Sequence, residues 1–166
     1  VDEYTSELSA DQPPKVELHT SSLSQFGDPN SFFFSQTFDA GWVATECKTW
    51  GGMANNDNER IPENGFGGVT DKAWEATKQL VVMVEYVRVQ LNAKPDSVWH
   101  FETTASGGAM AKHPLMKDFL LGSKEKGGLG FALTEISQCQ VGGPYKPTYI
   151  FHNNKHLARE AGVDHE

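Results

Sequence analysis

An α+β domain is the class this sequence predicts: a mixed, mainly antiparallel sheet covered by one long and one short helix, with a mostly-β sandwich or barrel as the alternative. Three observations lead there. Residues 71–91, DKAWEATKQLVVMVEYVRVQL, put Trp74, Val81, Val84 and Leu91 close to one helical face. Several shorter stretches rich in aromatic and β-branched residues alternate in polarity as half-buried strands do. Breaks of glycine, proline and asparagine separate them, and no internal repeat organises the chain.

Residues 1–15, VDEYTSELSADQPPK, are acidic and polar and run into Pro13 and Pro14, a composition that reads as an extended arm. Residues 16–166 then make a single globular domain. GDPN at 27–30 is a turn, because Asp and Asn side chains bond their own backbone and proline fixes one dihedral. SFFFSQTF at 31–38 and WVATECKTW at 42–50 both read as strands. On a strand Phe32, Phe33 and Phe34 cannot all face one core, so at least one meets a second layer or a partner. The glycine- and asparagine-rich stretch at 51–68 reads as a long loop with almost no core signal.

Thr70 can cap a helix that has Asp71 in its first turn, and the apolar spacing carries that helix from 71 to 91. A competing reading turns VEYVRVQL at 84–91 into a strand, since Val87, Val89 and Leu91 alternate with Arg88 and Gln90. Pro95 stops either element. SVWHFETTA at 97–105 alternates as a half-buried strand, and HPLMKDFLLGSKEKGG at 113–128 gives the short helix, with Pro114 in its first turn. LGFALTEISQCQV and PTYIFH, joined through GGPYK, predict a β-hairpin at 129–152.

Composition excludes several functions. A chain of 166 residues with 38% hydrophobic and 22% charged residues carries enough apolar surface to fold around one core, which argues against global disorder. Its formal charge of -8 repels phosphate backbones, so nucleic acid is not an expected partner. No stretch approaches the ~20 apolar residues that a membrane-spanning helix requires; the apolar run at 80–84 ends at Glu85, and membrane insertion is not expected. Cys47 and Cys139 are too few for a cysteine zinc site but suffice for one disulfide, closing a loop of about 90 residues that contributes roughly 4 to 5 kcal/mol in the chain-entropy model. That pair, and an opening on Val1 instead of Met, favour a secreted or lumenal location over a cytoplasmic one.

Chemistry has to come from side chains. His100 and Glu102 lie two apart on a predicted strand and therefore share a face, where they can bind a metal or share a proton. In YIFHNNKH at 149–156, His152 and His156 are one helical turn apart, or His152 and Asn154 share a strand face; the asparagines also fit a strand running into its turn. Were the strands of His100 and His152 neighbours, His100, Glu102 and His152 would form a catalytic or metal site, joined by His113 and His156 and suited to zinc or iron. None of the informative metal spacings is present, however. The glycines of GSKEKGGLG at 122–130 lack the lysine and hydroxyl ending of a phosphate loop and read as a basic surface turn.

Phe33, Trp42, Trp50 and Phe66 gather near the asparagine-rich loop as a candidate contact surface for a protein partner or a small apolar, amide-bonding ligand. The sequence therefore points first to a non-catalytic binding or interaction protein. A metal- or histidine-dependent hydrolase built on His100, Glu102 and His152 is the alternative.

Overall fold

The computed structural model describes residues 32–44, 49–51, 60–105, 108–137 and 147–154. Within them run a helical turn α1 (Phe32–Ser35), strand β1 (Ala40–Ala44), the long helix α2 (Asp71–Ala93) and strand β2 (Val98–Thr104). There follow a short helix α3 (Ala109–Lys112) continued by a π-helical turn (Leu115–Leu120), then strands β3 (Ala132–Ser137) and β4 (Pro147–His152). The strands form one open sheet in the order β1-β2-β4-β3. β1 runs parallel to β2, with α2 as the crossover, and the other two pairs are antiparallel. This is the α+β class with a mixed sheet, and a single sheet with two edges is neither sandwich nor barrel.

Helix α2 begins as its sequence dictates. Thr70 accepts a hydrogen bond from the Ala73 amide through Oγ1 at 3.2 Å, satisfying one of the orphan donors of the first turn. The helix runs on through Val87, Val89 and Leu91, so the strand reading of 84–91 is overturned. Its buried face is displaced from the one the sequence suggested: Ala73, Ala76, Leu80, Val84 and Val87 face inward, while Trp74 is 55% and Val81 45% exposed. On that face the Arg60 guanidinium donates to the Ala73 carbonyl at 2.9 Å.

The inner face of the sheet packs on α2. Val43, Trp99, Phe101 and Phe151 meet Leu80, Val84, Tyr86 and Val87, with Met110, Met116, Leu120 and Phe131 closing the core. Each such side chain contributes on the order of 1.5 to 3 kcal/mol when removed from water. Tyr86 is an aromatic hub, edge-on to Phe34 at 5.2 Å and to Trp99 at 5.6 Å. Gly41 lies over the Trp99 ring, where any Cβ would collide with it, so the glycine lets β1 lie directly on the core.

Buried Gln90 fixes the approach to β1. Its Oε1 accepts from the Phe38 amide at 3.1 Å and its Nε2 donates to the Gln36 carbonyl at 2.8 Å. Those backbone groups are thereby bonded to the helix and not to a neighbouring strand. Residues 32–38 are a helical turn followed by irregular chain where a strand was expected; the next strand spans Ala40–Ala44, Thr49 and Trp50 are not part of it, and 45–48 of the expected strand at 42–50 lie outside the described residues. Of the stretch read as a loop at 51–68, residues 52–59 lie outside the described residues; Arg60 within it is buried, and so is Trp50 just before it. The glycine-rich stretch after the π-helical turn is a surface turn around Lys124–Lys126, as the sequence suggests; Gly122 and Gly128 pack backbone to backbone with no room for a Cβ.

The arm at 1–15, Cys47, Cys139 and His156 lie outside the described residues, and with them the disulfide. No helix among the described residues is long and apolar enough to cross a membrane.

Candidate functional site

Along β2, Trp99, Phe101 and Thr103 are buried toward α2, and His100 and Glu102 point to the outer face of the sheet. The strand adjacency that the His100, Glu102 and His152 hypothesis requires is present: β2 and β4 are neighbours, and His100 stands directly opposite His152. On the other side His100 stands opposite Trp42 of β1. Three rings therefore form a row across three strands. Trp42 stacks on His100 with centroids 5.1 Å apart and planes 21° apart, and His100 on His152 at 6.3 Å and 29°.

Each ring is held differently. His152 is fully buried; its Nδ1 lies 3.2 Å from the Asn154 carbonyl and its Nε2 3.0 Å from Thr134 Oγ1. A carbonyl can only accept, so Nδ1 carries a proton and donates to it, while Nε2 is paired with the threonine hydroxyl. Both nitrogens are thus committed. His100 is half-buried, and desolvation holds its pKa below the usual histidine value, opposed by a hydrogen bond to the Gly41 backbone. Glu102 is engaged as well: its Oε2 accepts from Trp42 Nε1 at 3.2 Å. Trp42 is 57% exposed, with its indole held by stacking on one face and by a carboxylate at its rim.

Proximity of the two histidines does not make a metal centre. Among the described residues no three of His, Cys, Asp and Glu come together in a group able to hold a metal ion. The reason is visible in the row, where stacking presents ring faces to one another while a metal needs ring-edge lone pairs converging on one point. Nor do His100 and Glu102 bond each other as an acid–base couple, because the carboxylate is turned to Trp42. His113 stays apart from the row. It is buried at the end of α3, its Nδ1 accepts from the Leu115 amide at 3.3 Å, and its ring meets Trp50 edge-on at 5.8 Å.

Of the expected contact residues whose side chains are described, only Trp42 offers a large exposed surface. Trp50 is 1% exposed and is a core residue, with the Arg60 guanidinium 3.3 Å from its ring centroid. Phe66 is half-buried against the core, and the Phe33 side chain lies outside the described residues.

Sequence reasoning missed two residues, one that secures the chain before α2 and one that positions β2. Arg60 sends hydrogen bonds to the Thr49, Phe66, Gly67 and Ala73 carbonyls and to the Thr49 and Thr77 hydroxyls at 2.7 to 3.1 Å, fastening the loop to α2. Burial lowers its pKa to about 10, so it stays cationic at neutral pH. A signal existed, for Arg60 is the only basic residue between Lys48 and Lys72. Asn153 clamps the start of β2, its Oδ1 accepting from the Trp99 amide at 2.8 Å and its Nδ2 donating to the Ser97 carbonyl at 2.9 Å. Within the described part of HNNKH, Asn153 thus does strand-end chemistry, bonding the start of β2 next to the pair in which His152 stands opposite His100.

The fold and the row define an α+β chain whose mixed sheet ends in an exposed, anchored tryptophan beside a strand edge. Comparison with protein-family models, with curated proteins and with solved structures finds no match.

Proposed function

We propose that this chain is a non-catalytic binding or interaction domain whose contact surface is the outer face of the sheet around Trp42 and His100. The observation that carries this reading is the state of Trp42, which is 57% exposed and yet fixed in orientation by His100 and Glu102. A large amphipathic ring that is already ordered loses little entropy on binding, which is what an interface anchor requires. The hydrolase alternative finds less support, because both His152 nitrogens are taken and the Glu102 carboxylate is turned to an indole. A protein partner fits an exposed ring beside a strand edge better than a small molecule does, since small ligands favour concave sites.

Selection from a displayed random-peptide library tests the reading, with the wild-type chain as target and Trp42→Ala as counter-target. Peptides retained on the wild type and lost on the variant are expected. Recovery that is nil, or equal on the two proteins, would overturn the proposal, as would stoichiometric metal in protein purified without chelator that disappears in His100→Ala and His152→Ala.

A further inference from the structure

We propose that the outer edge of β1 takes up an extended, arginine-bearing segment of a partner protein as a fifth strand, its guanidinium stacked on the open face of the Trp42 indole. This rests on the binding reading above and names its partner.

The edge is open. β1 is the terminal strand of the sheet, and among the described residues nothing pairs with its outer side. In a parallel pair alternate residues direct both backbone groups to the neighbour; Asp39 does so, its carbonyl accepting from the Val98 amide at 2.8 Å. The same alternation turns the N–H and C=O of Ala40, Trp42 and Ala44 outward, and all three residues are exposed. Exposed edges are ordinarily guarded by charge, proline or a bulge, yet the strand Ala-Gly-Trp-Val-Ala carries neither charge nor proline. The opposite edge, β3, does carry an exposed charge, Glu135. An unguarded edge is a template for strand addition.

Ring geometry and charge select the occupant. The Trp42, His100 and His152 planes are nearly parallel and stack across the strands, so the free indole face looks toward the position of the next strand. A residue directly opposite Trp42 on an added strand would extend the row. Guanidinium is planar and stays cationic at neutral pH, and Glu102 places a carboxylate at the rim of the same indole. The formal charge of -8 attracts a basic segment and opposes pairing of the edge with a second copy of the chain.

Amide-resolved NMR titration of the full chain tests this with three synthetic peptides: Thr-Val-Arg-Val-Arg-Val-Thr, its glutamate twin, and an arginine version N-methylated at alternate amides. The arginine peptide is expected to shift the Ala40, Trp42 and Ala44 amides and the Trp42 indole. Trp42→Ala, Ala44→Pro and N-methylation should each weaken binding at least tenfold, and Glu102→Gln, which keeps an acceptor for the indole, severalfold. Should Ala44→Pro fail to fold, the N-methylated peptide still tests the edge. The proposal is overturned by absence of shifts at Ala40–Ala44 at millimolar peptide, by equal binding of the glutamate twin, or by concentration-dependent dimerisation through β1. If the library yields Trp42-dependent peptides that lack arginine or leave the edge amides unmoved, only this partner assignment falls; if it yields none, the binding reading falls with it.

Discussion

Arg60 carries a positive charge into the interior with no carboxylate among its hydrogen-bond partners, and six oxygen acceptors on the loop and α2 replace its water. The planar fork is what reaches them, since one face lies on Trp50 while Nε, Nη1 and Nη2 each find carbonyls or hydroxyls. Lysine has the charge without the fork. Arg60→Lys is therefore expected to cost about 2 to 4 kcal/mol by leaving buried carbonyls without donors, read as a lower urea midpoint at unchanged slope. Local sequence rules register Arg60 only as an isolated basic residue among glycines and asparagines and assign it to a solvated loop, with no sign of its partners. Asn153 was equally illegible, because its side chain acts as a strand extension for residues more than fifty positions away.

At the scale of elements, the start of β1 is specified from elsewhere in the chain. Gln90 of α2 takes the backbone just before it, and Lys94 pairs with Asp39 at its entry. Gly41 in the middle admits the Trp99 ring beneath it. Gly41→Ala should displace that ring and cost about 1 to 3 kcal/mol as an overpacked core does, with the loss of Trp42–His100 stacking visible as shifts of the indole and imidazole resonances. A free energy of unfolding unchanged within error would show that Trp99 can move aside at no cost. Elements whose information is local were legible: the cap at Thr70, the length of α2, the alternation of β2 and the β3–β4 hairpin. Those decided by neighbours were not, α1 and β1 above all.

For the molecule as a whole, two half-buried or buried histidines make stability depend on pH. Desolvation holds the pKa of His113 below its ordinary 6.5, with the nearby Arg60 charge acting the same way, and burial lowers that of His100 too. The unfolded chain then binds a proton below pH 6.5 that the folded chain refuses, so stability is complete above that pH and falls as the pH drops through it toward the folded-state values. His113→Asn, which retains an acceptor for the Leu115 amide but does not titrate, should flatten part of this dependence. Denaturant midpoints measured from pH 7.5 to 5 for both proteins check it; identical slopes would sink the assignment to His113. At this scale the α+β class was legible, because a long period of 3.6 flanked by short periods of 2 leaves few ways to cover a sheet.

The sequence by itself determined that His100 and Glu102 share a face, that a capped helix follows Thr70 and that the last two strands form a hairpin, since each depends on backbone geometry within a few residues. Only the tertiary structure decided what the shared face meets. Strand order brought Trp42 and His152 to either side of His100, and bonds from Thr134, Asn154 and Glu102 turned a conceivable ligand set into a stack of rings. The physical reason is that register and hydrogen-bond partners are set between segments far apart in the chain, where side-chain periodicity carries no information about which strand lies next door.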